Sequence, residues 1–139
     1  MWTHEYAAET GVPPASVWTV LANVDSWARW DTSMEWVRLD GEFAVGATVR
    51  MKPLDQDEAI SSTIVAIEPE RRYADRTEFG GVVLDFSHDL FPTGDGGTRV
   101  VHRLQISGGE ADQVGPELGP QITADFPEAM AALLACAGG

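Results

Sequence analysis

The chain has 139 residues, 44% hydrophobic and 22% charged, which fits one globular domain spanning 1–139. Its 22 acidic and 9 basic residues give a formal charge of −13, which disfavours nucleic acid and anionic lipid surfaces as partners. The sequence has no apolar stretch of membrane-spanning length and no secretory signal pattern in residues 1–10, and its single cysteine rules out an internal disulfide. We therefore expect a cytoplasmic protein that does not insert into a membrane.

The N-terminal part of the chain predicts one strand followed by two short helices. Residues 2–9 alternate in polarity, as in a strand with one polar face. The turn-forming residues 10–14 precede the apolar segment 15–22, which predicts a short helix with proline at its first turn. Asp25 is placed to cap a second short helix.

A series of short strands follows, separated by glycine, proline and aspartate turns. This pattern indicates consecutive antiparallel hairpins. The predicted strands are 34–39, 47–52, 59–67, 72–79, 82–91 and 98–107.

The C-terminal part of the chain predicts an amphipathic helix. From Val114 to Leu134 apolar residues recur every three or four positions, and such a stripe must pack on the sheet. Pro116 and Pro120 lie near the predicted start, where a missing N–H costs little. Pro127 falls inside the periodic run and predicts a kink or a division into two helices.

Several segments together resemble a known superfamily in order and spacing. They are PPASVW at 13–18, VDSWARWD at 24–31, VAIEPERRY at 65–73 and GDGGTRV at 94–100. Over essentially its whole length the chain resembles bacterial polyketide cyclase/dehydrase-like proteins of the SRPBCC (START/birch-pollen-allergen-like) superfamily. Members of this superfamily carry lipids, sense hormones, close polyketide rings or assist chaperones, and they share no catalytic signature.

The resemblance implies an α+β helix-grip fold. In that fold a seven-stranded antiparallel sheet wraps around a long C-terminal helix, with two short helices between the first two strands. It also implies a ligand cavity between the sheet and the C-terminal helix.

Two histidines are predicted to be neighbours on the inner face of the last hairpin. Alternation places His88 on the apolar face of strand 82–91 and His102 on the apolar face of strand 98–107. A hairpin that turns about Asp95 makes the two histidines direct cross-strand partners.

The preceding hairpin adds a phenol and a carboxylate to this row. A two-residue turn at 80–81 places Tyr73 opposite His88 and Asp75 diagonal to it. His88, His102, Asp75 and Tyr73 are the candidate catalytic residues, with Asp75 expected to orient His88 and raise its basicity. Such groups can polarise a carbonyl or move a proton. Alternatively, they form a hydrogen-bond network that fixes the core or the ligand pose.

The remaining candidate ligand contacts are mostly apolar or aromatic and lie on the first strand, the last hairpin and the predicted helices. They are His4, Tyr6, Trp30, Leu84, Phe86, Leu104, Ile122, Phe126 and Met130. Because no closely spaced metal-ligand motif and no phosphate-binding loop occurs, we expect neither a metal nor a cofactor.

These features favour a domain that binds a small hydrophobic ligand, apolar or aromatic and polyketide-like or lipid-like, as a monomer or homodimer. The first alternative is a cyclase/dehydratase-type enzyme with His88 and His102 as acid/base groups. The second is a protein-interaction module similar to chaperone activators, with its function on the outer surface.

Overall fold

The computed structural model describes residues 1–138, and for Phe79 the backbone only. One strand, two short helices, six strands and two further helices follow one another along the chain. The strands are β1 (Trp2–Thr10), β2 (Met34–Asp40), β3 (Thr48–Pro53), β4 (Ile60–Glu68), β5 (Arg72–Phe79), β6 (Val82–Pro92) and β7 (Thr98–Ser107). The helices are α1 (Pro14–Ala22), a 3₁₀ helix (Val24–Arg29), α2 (Ala111–Thr123) and α3 (Phe126–Gly138).

The strands form one seven-stranded sheet in the order β1-β7-β6-β5-β4-β3-β2. Every neighbouring pair is antiparallel, so β2 to β7 are joined as consecutive hairpins and β1 pairs with the last strand. The predicted seven-stranded antiparallel sheet is therefore confirmed.

The register of the last two hairpins agrees with the sequence prediction. His88 is opposite His102 in the β6–β7 pair, and Tyr73 is opposite His88 in the β5–β6 pair. Thr77 is opposite Leu84 and Asp75 is opposite Phe86, as the turn at residues 80–81 predicts. Since one face of this sheet is buried, the register decides which side chains reach the interior.

The predicted C-terminal helix is divided into two. Helix α2 ends at Thr123 and α3 begins at Phe126. Pro127 explains the division, because it has no N–H to donate to the carbonyl of Thr123 and its ring would collide with that carbonyl. The prediction that Pro127 kinks or splits the helix is confirmed.

The placement of two other prolines is a correction to the sequence prediction. Helix α2 begins at Ala111, so Pro116 and Pro120 lie in its interior rather than near its start. Each therefore removes one helical hydrogen bond. The carbonyl groups that lose this bond belong to Asp112 and Pro116, which are both exposed residues.

Helix α2 is seated against the first strand through two glycines. A Cβ atom at Gly119 would come within 2.5 Å of the Trp2 ring, and one at Gly115 within 2.8 Å of the Trp2 Cβ. Glycine is required at both positions because the side chain of Trp2 occupies the space that a Cβ atom would need.

The buried apolar side chains form two clusters. The larger joins α1, the 3₁₀ helix and α3 to the sheet and includes Leu21, Ile64 and Leu133, all fully buried. The smaller lies under α2 and includes Leu104 and Ile106. No helix among residues 1–138 combines the length and the apolar character that a membrane span requires.

Candidate functional site

A cavity of about 560 Å³ lies between the inner face of the sheet and the two C-terminal helices. It is lined by members of both buried clusters, so the two clusters leave space between them. A volume of this size suits a small organic molecule. The two helices and the break between them contribute Leu118, Gln121, Ile122, Ala124, Asp125, Phe126 and Ala129 to its wall.

Most of the candidate residues named from the sequence line this cavity. All four candidate catalytic residues do so: Tyr73, Asp75, His88 and His102. Five of the candidate ligand contacts join them: Trp30, Leu84, Phe86, Ile122 and Phe126.

Four candidate ligand contacts lie outside the cavity wall. Leu104 and Met130 are fully packed in the core, with exposures of 0% and 2%. Tyr6 lies opposite His102 on the neighbouring strand. The imidazole ring of His4 lies beside the ring of Phe126, with 5.8 Å between the ring centroids. The alternation of a strand shows which side chains point inward, but here packed core residues and the Phe126 ring occupy the space in front of them.

Three rings form a continuous stack in the wall of the cavity. The imidazoles of His88 and His102 lie with their centroids 3.9 Å apart and their planes 17° from parallel. On the other face of His102, the ring of Phe126 stacks at 3.8 Å. Both faces of His102 are therefore covered, and this residue can meet a ligand only through its ring edge.

Both imidazoles are neutral at physiological pH. Burial lowers the pKa of His88 to about 4. Burial, with a further contribution from His88 and His4, lowers the pKa of His102 well below its ordinary value. No hydrogen bond to either imidazole forms among the residues that the structure describes. Each neutral ring therefore has one N–H donor and one nitrogen acceptor free for a ligand.

A phenol–carboxylate pair lies beside the stack on β5. The hydroxyl of Tyr73 donates a hydrogen bond of 2.9 Å to Oδ2 of Asp75, and both residues are buried. Burial raises the pKa of Asp75 to about 7, although the bond from Tyr73 acts in the opposite direction. Burial also raises the pKa of Tyr73, so its hydroxyl stays protonated and remains a donor.

The expectation that Asp75 orients His88 is wrong. Asp75 is bonded to Tyr73, on its own strand, and His88 has no carboxylate partner within the described part of the chain. Side chains two residues apart on a strand lie on the same face, and this brings the Tyr73 hydroxyl within reach of the Asp75 carboxylate. With no carboxylate partner to oppose it, burial lowers the pKa of His88 rather than leaving it raised.

Sequence reasoning overlooked a polar pair in the cavity wall. Ser62 and Thr77 are buried and share a hydroxyl–hydroxyl hydrogen bond of 2.5 Å. Alternation along β4 could have indicated Ser62, which shares its face with the apolar residues Ile60 and Ile64.

Two aspartates that the sequence reasoning also overlooked lie in the cavity wall. Asp31 follows the 3₁₀ helix, and Asp125 occupies the break between α2 and α3. The hydroxyl of Ser33 donates a hydrogen bond of 2.6 Å to Oδ1 of Asp31. Burial, and secondarily the negative charge of Asp125, raises the pKa of Asp31 despite that bond. Asp125 could have been recognised as a cavity residue only if the exact position of the break between α2 and α3 had been known.

The arrangement does not resemble a metal centre. Within residues 1–138 no three histidine, cysteine, aspartate or glutamate side chains are placed to hold one ion. The His88 and His102 rings are stacked nearly parallel, so the nitrogen lone pairs lie in separate planes and do not converge on one point.

An antiparallel sheet that packs on C-terminal helices and leaves a cavity between them defines the helix-grip class of proteins. The chain belongs to the polyketide cyclase/dehydrase and lipid transport family, whose model matches residues 1–137. A comparison with curated protein sequences found no significant match.

Solved structures confirm the fold. Norcoclaurine synthase from Thalictrum flavum, in complex with dopamine and hydroxybenzaldehyde, is similar with a TM-score of 0.76 and 13% identity, covering 96% of this chain and 84% of that one. The ZhuI aromatase/cyclase from Streptomyces sp. R1128 has a TM-score of 0.73 and 20% identity, with coverages of 98% and 93%. TTHA0849 from Thermus thermophilus has a TM-score of 0.75 and 12% identity, with coverages of 97% and 96%.

Proposed function

We propose that the protein binds a small, mainly apolar aromatic molecule, of the polyketide-like kind, in the cavity between the sheet and its C-terminal helices. The observation that carries this proposal is the cavity of about 560 Å³. Most of its lining residues are apolar or aromatic, and polar side chains lie among them, a composition that suits a small-molecule site. The polyketide cyclase/dehydrase and lipid transport family description supports the same class of ligand.

The polar groups in the wall indicate how such a ligand is oriented. His88 and His102 are neutral and have free donor and acceptor positions, so they suit a hydroxyl or carbonyl group of the ligand. Phe86 and Trp30 line the same cavity and offer aromatic surface to a flat ring. Burying an aromatic ring there is worth about 2 kcal/mol or more through the removal of apolar surface from water.

A cyclase/dehydratase-type activity is the second candidate function. General acid/base catalysis is most efficient when the pKa of the group lies near the working pH. Asp75 meets this condition with a pKa raised by burial to about 7, whereas the pKa of His88 is about 4. We therefore assign the proton transfer to Asp75, and to the neutral imidazoles the donation of an N–H to a carbonyl oxygen of the substrate.

The protein-interaction alternative receives no support from the cavity. A module that acts through its outer surface has no use for an internal cavity, and protein interiors are close-packed where no ligand has to be accommodated. Here the interior contains space bordered by unpartnered imidazoles, so the ligand-binding interpretation accounts for more of the observations.

The test uses a pair of alanines on α3. Ala129 is buried and lines the cavity, whereas Ala131 lies exposed on the same helix. Titration with the neutral fluorescent probe N-phenyl-1-naphthylamine is expected to give saturable binding with the wild type and with Ala131→Phe. Ala129→Phe places a ring in part of the cavity and should weaken binding at least about tenfold, the loss expected when the burial of one small apolar group is prevented. Equal binding by both variants, with matching thermal unfolding curves, would refute the proposal.

A separate test addresses the activity. In the presence of a substrate that the protein converts, Asp75→Asn should bind that substrate and lose turnover, while His88→Gln should retain the pH dependence of the rate. Full turnover by Asp75→Asn would exclude Asp75 as the acid/base group and leave the binding function unaffected.

A further inference from the structure

The charged residues in the cavity wall are all of one sign. Among the described residues that line it, four are aspartates and none is lysine or arginine. They are Asp31, Asp55, Asp75 and Asp125. A recess with walls of one charge and low polarity concentrates the field, so the interior attracts cations and repels anions.

A lysine near the wall does not offset these charges. The ammonium group of Lys52 donates to the carbonyl oxygen of Gln56 at 2.9 Å and lies 3.5 Å from a carboxylate oxygen of Glu35. The one carboxylate within ion-pair distance of Lys52 in the described part of the chain, that of Glu35, lies outside the cavity wall, and its other partners are the backbone carbonyl oxygens of the wall residues Pro53 and Gln56.

Two of the four carboxylates belong to residues that neighbour an aromatic residue in the sequence. Asp31 directly follows Trp30, and Asp125 directly precedes Phe126, and all four residues line the cavity. Trp30 and Phe126 are buried, with exposures of 4% and 3%. Carboxylates beside aromatic rings are the surroundings in which proteins bind organic ammonium groups, because both attract a positive charge.

The negative charges of Asp31 and Asp125 are also not neutralised by hydrogen-bond donors or cations among the described residues, apart from the bonds from Ser33. One oxygen of Asp31 accepts bonds from Ser33, whereas no hydrogen bond to its other oxygen, or to the Asp125 carboxylate, forms among the described residues. The negative charge of Asp125 acts on Asp31 and, together with burial, makes its ionisation more costly. A cation between them would remove that repulsion.

An independent observation marks the cavity as a place where a ligand binds. Trp30 is only 4% exposed and lines the cavity, and its buried indole Nε1–H has no hydrogen-bond partner in the described part of the chain. Buried polar groups normally have a partner, so an unpaired one at a cavity wall indicates a group that a ligand satisfies.

We propose that the ligand is an aromatic amine, with its ammonium group between Asp31 and Asp125 and its ring against Trp30, Phe126 and the inner wall of the cavity. This inference rests on the proposed binding function and narrows its ligand class. Aromatic or lipid-like molecules that carry a carboxylate are excluded from the cavity on the same grounds, because four aspartates oppose their charge.

The experiment compares three naphthalene derivatives whose substituents are cationic, neutral and anionic. Isothermal titration calorimetry at pH 7.5 measures 2-naphthylmethylamine, 2-naphthylmethanol and 2-naphthoate against the wild type. We expect the amine to bind about tenfold more tightly than the alcohol, the size of a desolvated cation–aromatic contact, and the carboxylate to show no measurable binding.

Three variants locate the effect. Asp31→Asn and Asp125→Asn should each bring the affinity for the amine close to that for the alcohol, without changing the affinity for the alcohol. Asp40→Asn removes the same charge at an exposed position outside the cavity wall and should leave the tenfold ratio intact. This variant separates a local contact from the general effect of the −13 charge.

The possible failures are distinguishable. If the alcohol and N-phenyl-1-naphthylamine bind but the amine is not preferred, or if both asparagine variants keep the preference, the inference about charge is wrong and the binding function stands. If the carboxylate binds best, the charge inference is likewise wrong. If none of the three compounds and no neutral probe binds, both the inference and the binding function are wrong.

Discussion

The imidazole rings of His88 and His102 are stacked face to face, 3.9 Å apart between centroids and 17° from parallel. They come from directly opposite positions of β6 and β7, so the strand register itself creates the stack. A proton on either ring would place a charge in a buried, poorly solvated position against the other ring. The pair therefore acts as a fixed, neutral part of the wall rather than as a proton carrier.

The first prediction concerns the titration of these two histidines. Because burial lowers the pKa of His88 to about 4 and that of His102 well below its ordinary value, neither should titrate between pH 8 and 5.5. Heteronuclear NMR of the imidazole groups measures this directly, and the chain contains only 3 histidines to assign. A midpoint near 6.5 for either residue would contradict the neutral stack.

The same shifts have a consequence for stability. In the unfolded chain histidine takes up a proton near pH 6.5, whereas folded His88 does so only near pH 4. The unfolded state thus binds more protons within this window, and the free energy of unfolding falls as the pH decreases from 6.5 towards 4. His88→Gln should flatten this part of the stability curve, as measured by urea unfolding at a series of pH values.

For Asp75 we predict the opposite dependence of stability on pH, over a pH range that overlaps that of His88. Its folded-state pKa is raised by burial from 3.8 to about 7, so between these values the folded state binds more protons than the unfolded state. The stabilising contribution of this residue to the free energy of unfolding is present in full below pH 3.8 and is lost as the pH rises through 7. Asp75→Asn keeps an oxygen that accepts the Tyr73 bond, and it should stabilise the protein by on the order of 2–4 kcal/mol at pH 8.

The measurement for Asp75 is again urea unfolding, at pH 5 and pH 8. Asp89→Asn is unsuitable as a control because Asp89 pairs with Arg72, so the exposed Asp40→Asn is used instead. A stabilisation by Asp75→Asn that is equal at both pH values would show that the carboxylate does not change its ionisation in this range.

The sequence was sufficient to predict the sheet and its register. Alternation along β6 and β7, together with the turns at 80–81 and about Asp95, makes His88 and His102 direct partners. Side-chain period and turn length are local properties of a chain, so they can be recognised without knowledge of the whole fold.

The cavity wall could be predicted only in part, because it depends on how the helices lie over the sheet. Leu104 points inward as its alternation indicates, but the packed core covers it completely. Asp125 enters the wall because α2 ends two residues earlier, and the residue at which a helix breaks is not determined by its apolar period. The Tyr73–Asp75 bond likewise depends on side-chain conformation rather than on strand register.

A further prediction concerns the contact between Trp2 and α2. Gly119→Ala places a Cβ atom 2.5 Å from the Trp2 ring, so the helix must move away from β1. Overpacking of this kind costs about 1–3 kcal/mol and should lower the melting temperature measured by circular dichroism. Glu117→Ala, at an exposed position of α2, should have little effect.

A double variant identifies the cause. If the indole ring is the obstacle, Gly119→Ala in a Trp2→Val background should cost clearly less than in the wild type. Additive effects of the two substitutions would show that the glycine serves another purpose.

The last prediction concerns Pro127 and access to the cavity. Replacing it by alanine restores an N–H that can bond to the carbonyl of Thr123, so α2 and α3 can join across the break at Ala124 and Asp125. Both residues of the break line the cavity, and a continuous helix would change its entrance. We expect Pro127→Ala to increase the helical signal in circular dichroism and to change the rate of N-phenyl-1-naphthylamine uptake in stopped-flow fluorescence. The substitution removes no side chain from the cavity wall, so a changed uptake rate would be due to the backbone at the break. An unchanged uptake rate in a variant with increased helicity would show that the break does not control access to the cavity.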